Sequence, residues 1–233
     1  MSLSHPLDRP VWSALTSRQA SQALGDARAL RFDPGYALFA AAADASAEST
    51  TALGALNISP NGMGLVEAGD MPLPPGATVR AQAACVQMVT STLTGSGKSV
   101  AFEPLGEADA AEMLALATLT VPGPFFDRTH RLGDFIGTRQ DGRLIAMAGE
   151  RMKPDGFTEV SGVCTHPDFR GLGYAGALMR VATQRILERG EQAFLHVYAA
   201  HSATIALYET LGFRVRTKVT YTVLDGPEPM SRE

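Results

Sequence analysis

A chain of 233 residues with a formal net charge of −4 is long enough for one large domain or two smaller ones, but it lacks the basic surplus that broad binding to nucleic acid or to an anionic membrane requires. No apolar run approaches the roughly 18 residues that cross a membrane, and the N-terminus lacks the charged and apolar blocks of a signal peptide. We therefore expect a cytoplasmic protein, a monomer or a homodimer, that binds neither nucleic acid nor membrane.

Cysteine and histidine usage excludes two further classes of protein. The two cysteines, Cys85 and Cys164, are too few and too far apart for a disulfide framework, and no His/Cys spacing is typical of a metal site. We expect two buried, reduced thiols and no bound metal.

The strongest shift in composition is the small, polar, glycine-rich stretch TLTGSGKSV, residues 92–100. It predicts a boundary between an N-terminal α/β domain of unknown role, residues 1–95, and a second domain, residues 96–233. In the first domain the alanine-rich residues 37–50 have no clear pattern. The remaining patterns predict strands at 27–32, 64–69 and 77–89 and a weak helix at 46–56, which Ser46 can cap.

The second domain has stronger signals. Asp141-Gly142 between two apolar runs predicts a hairpin over 134–152. Apolar residues at spacings of three and four from Tyr174 to Ile186 predict an amphipathic helix that Gly190 ends. The other predicted elements are strands at 99–105, 157–165 and 192–200, helices at 107–119 and 202–212, a short helix or loop at 125–136, and a final strand or pair at 214–224. Alternation of strands and helices predicts an α/β sheet covered by helices.

The stretch THPDFRGLGYAGALM, residues 165–179, joins a predicted strand to this helix through clustered glycines. A helix N-terminus leaves about four N–H groups without partners and carries the positive end of the dipole. Glycines let a diphosphate approach those donors without meeting side chains, and Arg170 can add charge-assisted contacts. The stretch is therefore interpreted as a cradle for a diphosphate, the alternative being a tight turn that binds no ligand.

Two rival phosphate motifs fit less well. Gly171, Gly173 and Gly176 match the spacing G-x-G-x-x-G, but that dinucleotide fingerprint belongs to the first βα turn of its domain, and this unit comes late. In TLTGSGKS the first glycine of the phosphate-loop motif is replaced by Thr92, so this segment is interpreted as a linker with a solvated Lys98.

Two motifs together resemble the GNAT superfamily of N-acetyltransferases. GVCTHPDFRGLGYAGALM resembles its acyl-CoA-binding motif, R/Q-x-x-G-x-G/A, with Arg170, Gly173 and Ala175 at the defined positions. AAHSATIALYETLGF, one helix and one strand later, resembles its second signature. The resemblance covers about residues 99–224 and implies a mixed, splayed central sheet flanked by helices, of the α/β (α+β) class. One interpretation of the smaller α/β N-terminal domain is a degenerate copy of the same fold.

The resemblance implies acetyl-CoA as acyl donor, an unidentified primary amine as acceptor, and a set of site residues. The pantetheine arm would lie along the strand at Val163, Cys164 and Thr165, and the pyrophosphate on the glycine turn. The residues implied for the turn are Arg170, Gly171, Leu172, Gly173, Tyr174, Ala175 and Gly176. His201 stands where many members have asparagine, and a histidine can donate a similar hydrogen bond to the cofactor.

Direct transfer needs a neutral amine and an acid for the leaving thiolate. Tyr208 matches the tyrosine that commonly protonates sulfur in this superfamily, and Glu159 and His196 stand at positions where relatives hold general bases. Cys164 is disfavoured as an acyl-carrying nucleophile because no base adjoins it in sequence.

In this superfamily the early helices and their loop shape the acceptor site. The resemblance therefore makes Phe125, Phe126 and Arg131 candidate liners of that site.

The sequence thus predicts an N-acetyltransferase that moves an acetyl group from acetyl-CoA to a primary amine. One alternative is a non-catalytic acyl-CoA sensor, in which the cradle is kept without a base. The other is a nucleotide-binding protein that uses GSGKS or the glycine turn as its phosphate site.

Overall fold

The computed structural model describes residues 5–226. Within that range the helices are α1 Pro10–Leu15, α2 Ala47–Ala55, α3 Ala110–Thr120, α4 Tyr174–Glu188 and α5 Ser202–Thr210. The strands are β1 Ala23–Asp26, β2 Ala29–Phe32, β3 Ala40–Ala42, β4 Met63–Glu67, β5 Val79–Thr90, β6 Glu103–Leu105, β7 Phe135–Gln140, β8 Arg143–Glu150, β9 Phe157–Thr165, β10 Gln192–Tyr198 and β11 Arg214–Leu224. None of the described helices combines the length and the apolar character needed to cross a membrane.

Among the described residues the main sheet contains eight strands in the order β4-β11-β5-β10-β9-β8-β7-β6, and a small second sheet contains β1, β2 and β3. In the main sheet β9 and β10 run parallel, whereas the other neighbouring pairs are antiparallel. The fold is therefore the mixed sheet flanked by helices that the resemblance implies.

The parallel pair β9 and β10 separates soon after it forms. Gln192–Phe194 of β10 pairs with Phe157–Glu159 of β9, and beyond these residues the two strands, as far as the structure describes them, no longer pair with each other. Both strands nevertheless continue, β9 to Thr165 and β10 to Tyr198. The facing edge of β9 beyond Glu159 is thus left without a neighbouring strand, which opens a gap in the middle of the sheet.

The main sheet continues across the predicted domain boundary. β4 and β5 precede the boundary, yet β5 lies between β10 and β11. On one face of the sheet, Leu7 and Val11 of the N-terminal segment share a core with Phe194 of β10. On the other face, Leu178 of α4 packs against Leu195. Residues on both sides of the boundary therefore share one sheet and its core, and the boundary between residues 95 and 96 stays a prediction.

Local signals explain the elements that were predicted. Asp141 and Gly142 both have positive φ, 52° and 79°, as the tight turn between β7 and β8 requires. Ser46 caps α2 by accepting a hydrogen bond from the Ser49 backbone N–H. Gly190, with φ 78°, follows the end of α4.

Other expectations differ from the structure. The strand predicted at 99–105 is confined to Glu103–Leu105, the part that pairs with β7. Residues 125–136 form a 3-10 turn at Thr129–Leu132 followed by the start of β7. Of the two alternatives expected for residues 214–224, a strand or a pair, the structure has the single strand. Three short elements, α1, β1 and β3, were not predicted because each is too brief for a periodic pattern.

Candidate functional site

The loop between β9 and α4 turns at two glycines. After Thr165 a 3-10 turn, Pro167–Phe169, leads to Gly171 and Gly173, whose φ angles are +75° and +83°. An L side chain in that left-handed region costs about 1–2 kcal/mol, so glycine is favoured at both positions. Helix α4 begins at Tyr174 with no side-chain cap, and the first N–H groups of a helix have no partners within it.

Beside this loop lies a cleft of about 480 Å³, which we call the glycine cleft. It is lined by Thr120, Pro122, Val163, Cys164, Thr165, Phe169, Arg170, Gly171, Gly173, Tyr174, Ala175, Gly176 and Leu207. The structure thus brings together the predicted strand residues and all the predicted turn residues except Leu172. The Leu172 side chain is half-exposed and lies outside the lining.

Three features of the glycine cleft suit an extended ligand that ends in a diphosphate. The facing edge of β9 has no partner strand beyond Glu159, so backbone groups there are free to bind a ligand. The Thr165 hydroxyl is buried and has no hydrogen-bond partner among residues 5–226. A Cβ added at Gly171 would meet no atom of residues 5–226 within 4 Å, which leaves room against the backbone for a ligand.

Lys98 lies at the mouth of the same loop, a position that the sequence analysis did not predict. Its ammonium donates a hydrogen bond of 2.9 Å to the Leu172 carbonyl and lies 5.1 Å from the centroid of the Tyr174 ring. The linker GSGKS therefore places a cation beside the glycines. No local signal reveals this contact, because Lys98 and Leu172 are 74 residues apart.

A second space of about 250 Å³, the inner cavity, adjoins the glycine cleft, and Pro122 lines both. Its lining residues are Phe39, Val66, Cys85, Val121, Pro122, Gly123, Pro124, Arg151, His196, Val197, Tyr198, His201, Thr204, Tyr208, Val219 and Tyr221. Three predicted site residues, His196, His201 and Tyr208, thus lie around one cavity. Arg151 and Tyr221 also line it and were not predicted.

Glu159 lies behind the wall of the inner cavity. Its carboxylate is almost fully buried and accepts two hydrogen bonds of 2.8 Å from Nε and Nη2 of Arg151. A third bond of 2.8 Å comes from Nδ1 of His196. Burial opposes ionisation of this carboxyl, but the charge and hydrogen bonds of Arg151 and the bond from His196 outweigh it and lower the pKa of Glu159 well below its ordinary value.

Both ring nitrogens of His196 are engaged. The Gln87 side-chain amide donates to Nε2 at 3.0 Å and also to the Leu7 carbonyl at 2.8 Å, while its oxygen accepts from Arg216 at 2.9 Å. These contacts orient the amide, so Nε2 of His196 is an acceptor and Nδ1 carries the proton given to Glu159. Hydrogen bonds therefore connect Leu7, near the N-terminus, through Gln87 to His196 at the inner cavity.

Tyr208 extends from α5 into the inner cavity and packs against Phe213, with ring centroids 6.3 Å apart. Burial raises the pKa of its phenol, so the hydroxyl stays protonated at neutral pH. Burial also raises the pKa of the Cys164 thiol to about 11, which keeps it a thiol and not a nucleophilic thiolate. The described part of the chain therefore offers a proton donor at Tyr208 and gives no support to Cys164 as an acyl carrier.

A third space, the outer groove, has a volume of about 450 Å³ and leads away from the inner cavity past Val121 and Tyr198. The predicted liners Phe125 and Phe126 lie along it. The third, Arg131, lies elsewhere and pairs with Glu107 at 2.6 Å.

Residues 121–124 separate these spaces. Val121 has φ 50° and is 77% exposed, an uncommon backbone conformation for a β-branched residue, and it borders both the inner cavity and the outer groove.

The chain is similar to known proteins over part or nearly all of its length. The family described as FR47-like protein matches residues 135–223, which contain the glycine loop and α5. A mycothiol acetyltransferase of Thermomonospora curvata is 35% identical over 91 residues, 39% of this chain. The match spans only 29% of that enzyme's length.

Two solved structures cover nearly all of the chain. A GCN5-related N-acetyltransferase of Kribbella flavida shares the fold, with a TM-score of 0.60 and 18% identity over 92% of this chain and 96% of that one. A protein of Novosphingobium aromaticivorans assigned to the GNAT family as an acetyltransferase has a TM-score of 0.88 and 42% identity, over 96% of this chain and 100% of that one. At that identity over nearly the full length, the chain belongs to the GNAT family of acetyltransferases.

Proposed function

We propose that this acetyltransferase moves an acetyl group from acetyl-CoA to a primary amine by direct transfer. The observation that carries the proposal is the junction of the glycine cleft with the inner cavity at Pro122. An acyl-CoA that follows the open edge of β9 would bring its thioester towards the cavity that holds Tyr208.

The residues of the glycine cleft are suited to hold the donor. Backbone groups at Val163, Cys164 and Thr165 would bind the pantetheine amides, and the N–H groups from Gly171 to Gly176 would bind the pyrophosphate. Arg170 and Lys98 supply positive charge at the rim. His201 lines the inner cavity and would lie near the reactive end of the donor.

Acetyl-CoA supplies a thioester, and the protein has two protons to move. In the transfer a C–N bond forms and the C–S bond breaks, one proton leaves the amine and one joins the sulfur. Tyr208 is the donor we assign to sulfur, because its partly buried phenol is protonated and lines the cavity. A lysine-like amine with a pKa near 10.4 is mostly protonated at pH 7, an obstacle of about 5 kcal/mol that a general base helps to remove.

His196 and Glu159 are the predicted bases, and their surroundings suggest different roles. His196 borders the inner cavity, so its Nε2 is the atom we assign to accept the amine proton, once substrate or water takes the place of Gln87. Glu159 does not border the cavity and contacts it only through His196 and Arg151. We assign it the positioning of these two side chains.

The test combines binding and turnover. Melting temperatures are measured with acetyl-CoA, CoA, ATP and NAD, since a ligand at 100 times its Kd stabilises by about 2.7 kcal/mol, a shift of several degrees in a protein of this size. Release of free CoA thiol is then followed with a panel of amines. We expect stabilisation by acetyl-CoA and CoA alone, and amine-dependent thiol release.

The other outcomes separate the alternatives. Binding of CoA without turnover of any amine would identify an acyl-CoA sensor. Stabilisation by ATP or NAD but not by CoA would assign the glycine turn or GSGKS to a nucleotide and would end the proposal.

A further inference from the structure

One nitrogen of the Arg151 guanidinium, Nη1, has no hydrogen-bond partner among the described residues. The other two, Nε and Nη2, donate to Glu159, and the side chain as a whole is 12% exposed. Arg151 is one of the residues that line the cavity. A guanidinium nitrogen carries two N–H donors, so this position offers charge-assisted hydrogen bonds to a bound molecule.

The surroundings hold this guanidinium in place. Glu159 fixes two of its nitrogens, and His196 in turn fixes Glu159. The guanidinium carbon lies 4.6 Å from the centroid of the Phe39 ring, which comes from the N-terminal segment. A donor that is already ordered loses little further entropy when a ligand binds, which favours recognition at this point.

The rest of the cavity wall is also rich in donors. Tyr198 and Tyr221 add two phenols, whereas no aspartate or glutamate is among the described lining residues. The Glu159 carboxylate that neutralises Arg151 lies behind the wall and already accepts four hydrogen bonds, from Arg151, His196 and the Met152 backbone N–H. Such a wall has no free carboxylate to bind an acceptor that carries a second ammonium group. Its hydrogen-bond donors suit an acceptor that carries a carboxylate.

From these contacts we propose that the acceptor is a small amine that itself carries a carboxylate, an amino-acid-like molecule whose carboxylate binds Nη1 of Arg151. The inference rests on the proposed N-acetyl transfer and names the substrate class of the same cavity. A volume of about 250 Å³ fits an acceptor of that size, and the adjoining outer groove leaves room for a side chain. Arg151 would then be a specificity-determining residue.

The experiment compares matched amines with the full-length protein and saturating acetyl-CoA. For alanine and for phenylalanine, kcat/KM is measured for the amino acid, its primary amide and the corresponding amine without a carboxylate. The amide is a weaker base than the amino acid, so amine protonation alone would favour the amide. We expect kcat/KM for the amino acid to exceed that for the amide at least tenfold in one of the two sets. The difference should lie in KM.

Variants locate the effect at Arg151. R151Q alone leaves Glu159 buried without its partner, so the double variant R151Q/E159Q, which replaces the ion pair by two amides, is measured beside it. We expect a folded double variant that binds acetyl-CoA as the wild type does and has lost the preference for the carboxylate. E159Q alone keeps Arg151 but removes the carboxylate that orients it, so it is expected to retain part of the preference, with a higher KM for the amino acid.

The outcomes decide between the two proposals. Three results would each overturn the carboxylate subsite and leave the proposed function standing. The first is a kcat/KM for the amides equal to or above that for the amino acids. The others are no acetylation of any panel member while acetyl-CoA still binds, and a preference that survives in R151Q/E159Q. A protein that acetyl-CoA does not stabilise would instead fail the proposed function.

Discussion

Arg151 and Glu159 form a two-point ion pair in the middle of the molecule, with two N–O distances of 2.8 Å and both side chains largely removed from solvent. The pair lies at the last paired residue of β9 before the strand separates from β10. Removal of charges from water is costly, so such a pair need not add net stability relative to apolar residues. Loss of only one partner lowers stability, because it leaves the other charge buried and unpaired.

Glu159→Gln tests this dependence through acid denaturation. The pKa of Glu159 in the folded protein is about 2, below its ordinary 4.5, so the stability from its ionised form is present above pH 4.5 and is lost as the pH falls towards 2. We expect E159Q to be less stable by about 3–5 kcal/mol at pH 7 and to lose less further stability over the acid range. The measurement is urea unfolding between pH 7 and pH 2.5.

The matched control is Glu188→Gln, which removes an exposed carboxylate near the end of α4. We expect its unfolding free energy to follow that of the wild type across the same pH range. An E159Q protein whose stability falls with acid as steeply as that of the wild type would show that Glu159 is not the group responsible.

Tyr208→Phe tests the acid of the proposed transfer. The change keeps the ring that packs against Phe213 and removes only the hydroxyl. We expect kcat to fall by about a hundredfold, as is typical for loss of a general acid, while the Kd of acetyl-CoA is unchanged. Stopped-flow thiol release and isothermal titration measure the two quantities, and Tyr36→Phe, outside both cavities, is the control. An unchanged kcat would remove Tyr208 from the chemistry.

Lys98→Gln tests whether the linker contributes to donor binding. The Lys98 ammonium is exposed and lies beside the glycine loop, so its contribution to a bound phosphate should resemble that of an exposed ion pair. We expect the Kd of CoA to rise by about fivefold at low salt and the difference to shrink as salt is added. Lys218→Gln, an exposed lysine on β11, should leave the Kd unchanged. Equal CoA affinity in K98Q and the wild type at low salt would show that Lys98 does not contribute to donor binding and is only part of the linker.

Sequence patterns predicted the parts of this fold whose causes are local. The Asp141-Gly142 turn and the glycine loop depend on backbone angles that few residue types adopt. The residue types in the sequence are therefore enough to indicate both. The position of β5 between β10 and β11 depends instead on pairing between distant segments, as in the contact of Gln87 with His196, 109 residues apart. Arg151 follows a strand as surface arginines often do, and only the fold shows that it faces a cavity.

Gly171 and Gly190 are alike in backbone conformation and in the free space beside them. Both have left-handed φ, +75° and +78°, and at both an added Cβ would meet no atom of the described part of the chain within 4 Å. They lie at opposite ends of α4, and only Gly171 borders the glycine cleft. Each change to alanine is expected to lower the free energy of unfolding by about 1–2 kcal/mol, since the backbone strain is the same.

Ligand binding should separate the two variants. The Cβ of G171A would occupy space against the backbone that the pyrophosphate needs, and loss of one hydrogen bond to a charged group costs about 1.5–3 kcal/mol. We therefore expect the Kd of CoA to rise by about ten- to a hundredfold in G171A and to be unchanged in G190A. Titration calorimetry measures the Kd, and urea unfolding verifies that the loss of stability is equal. If both variants bind CoA as tightly as the wild type, the glycines serve the turn alone and the diphosphate lies elsewhere.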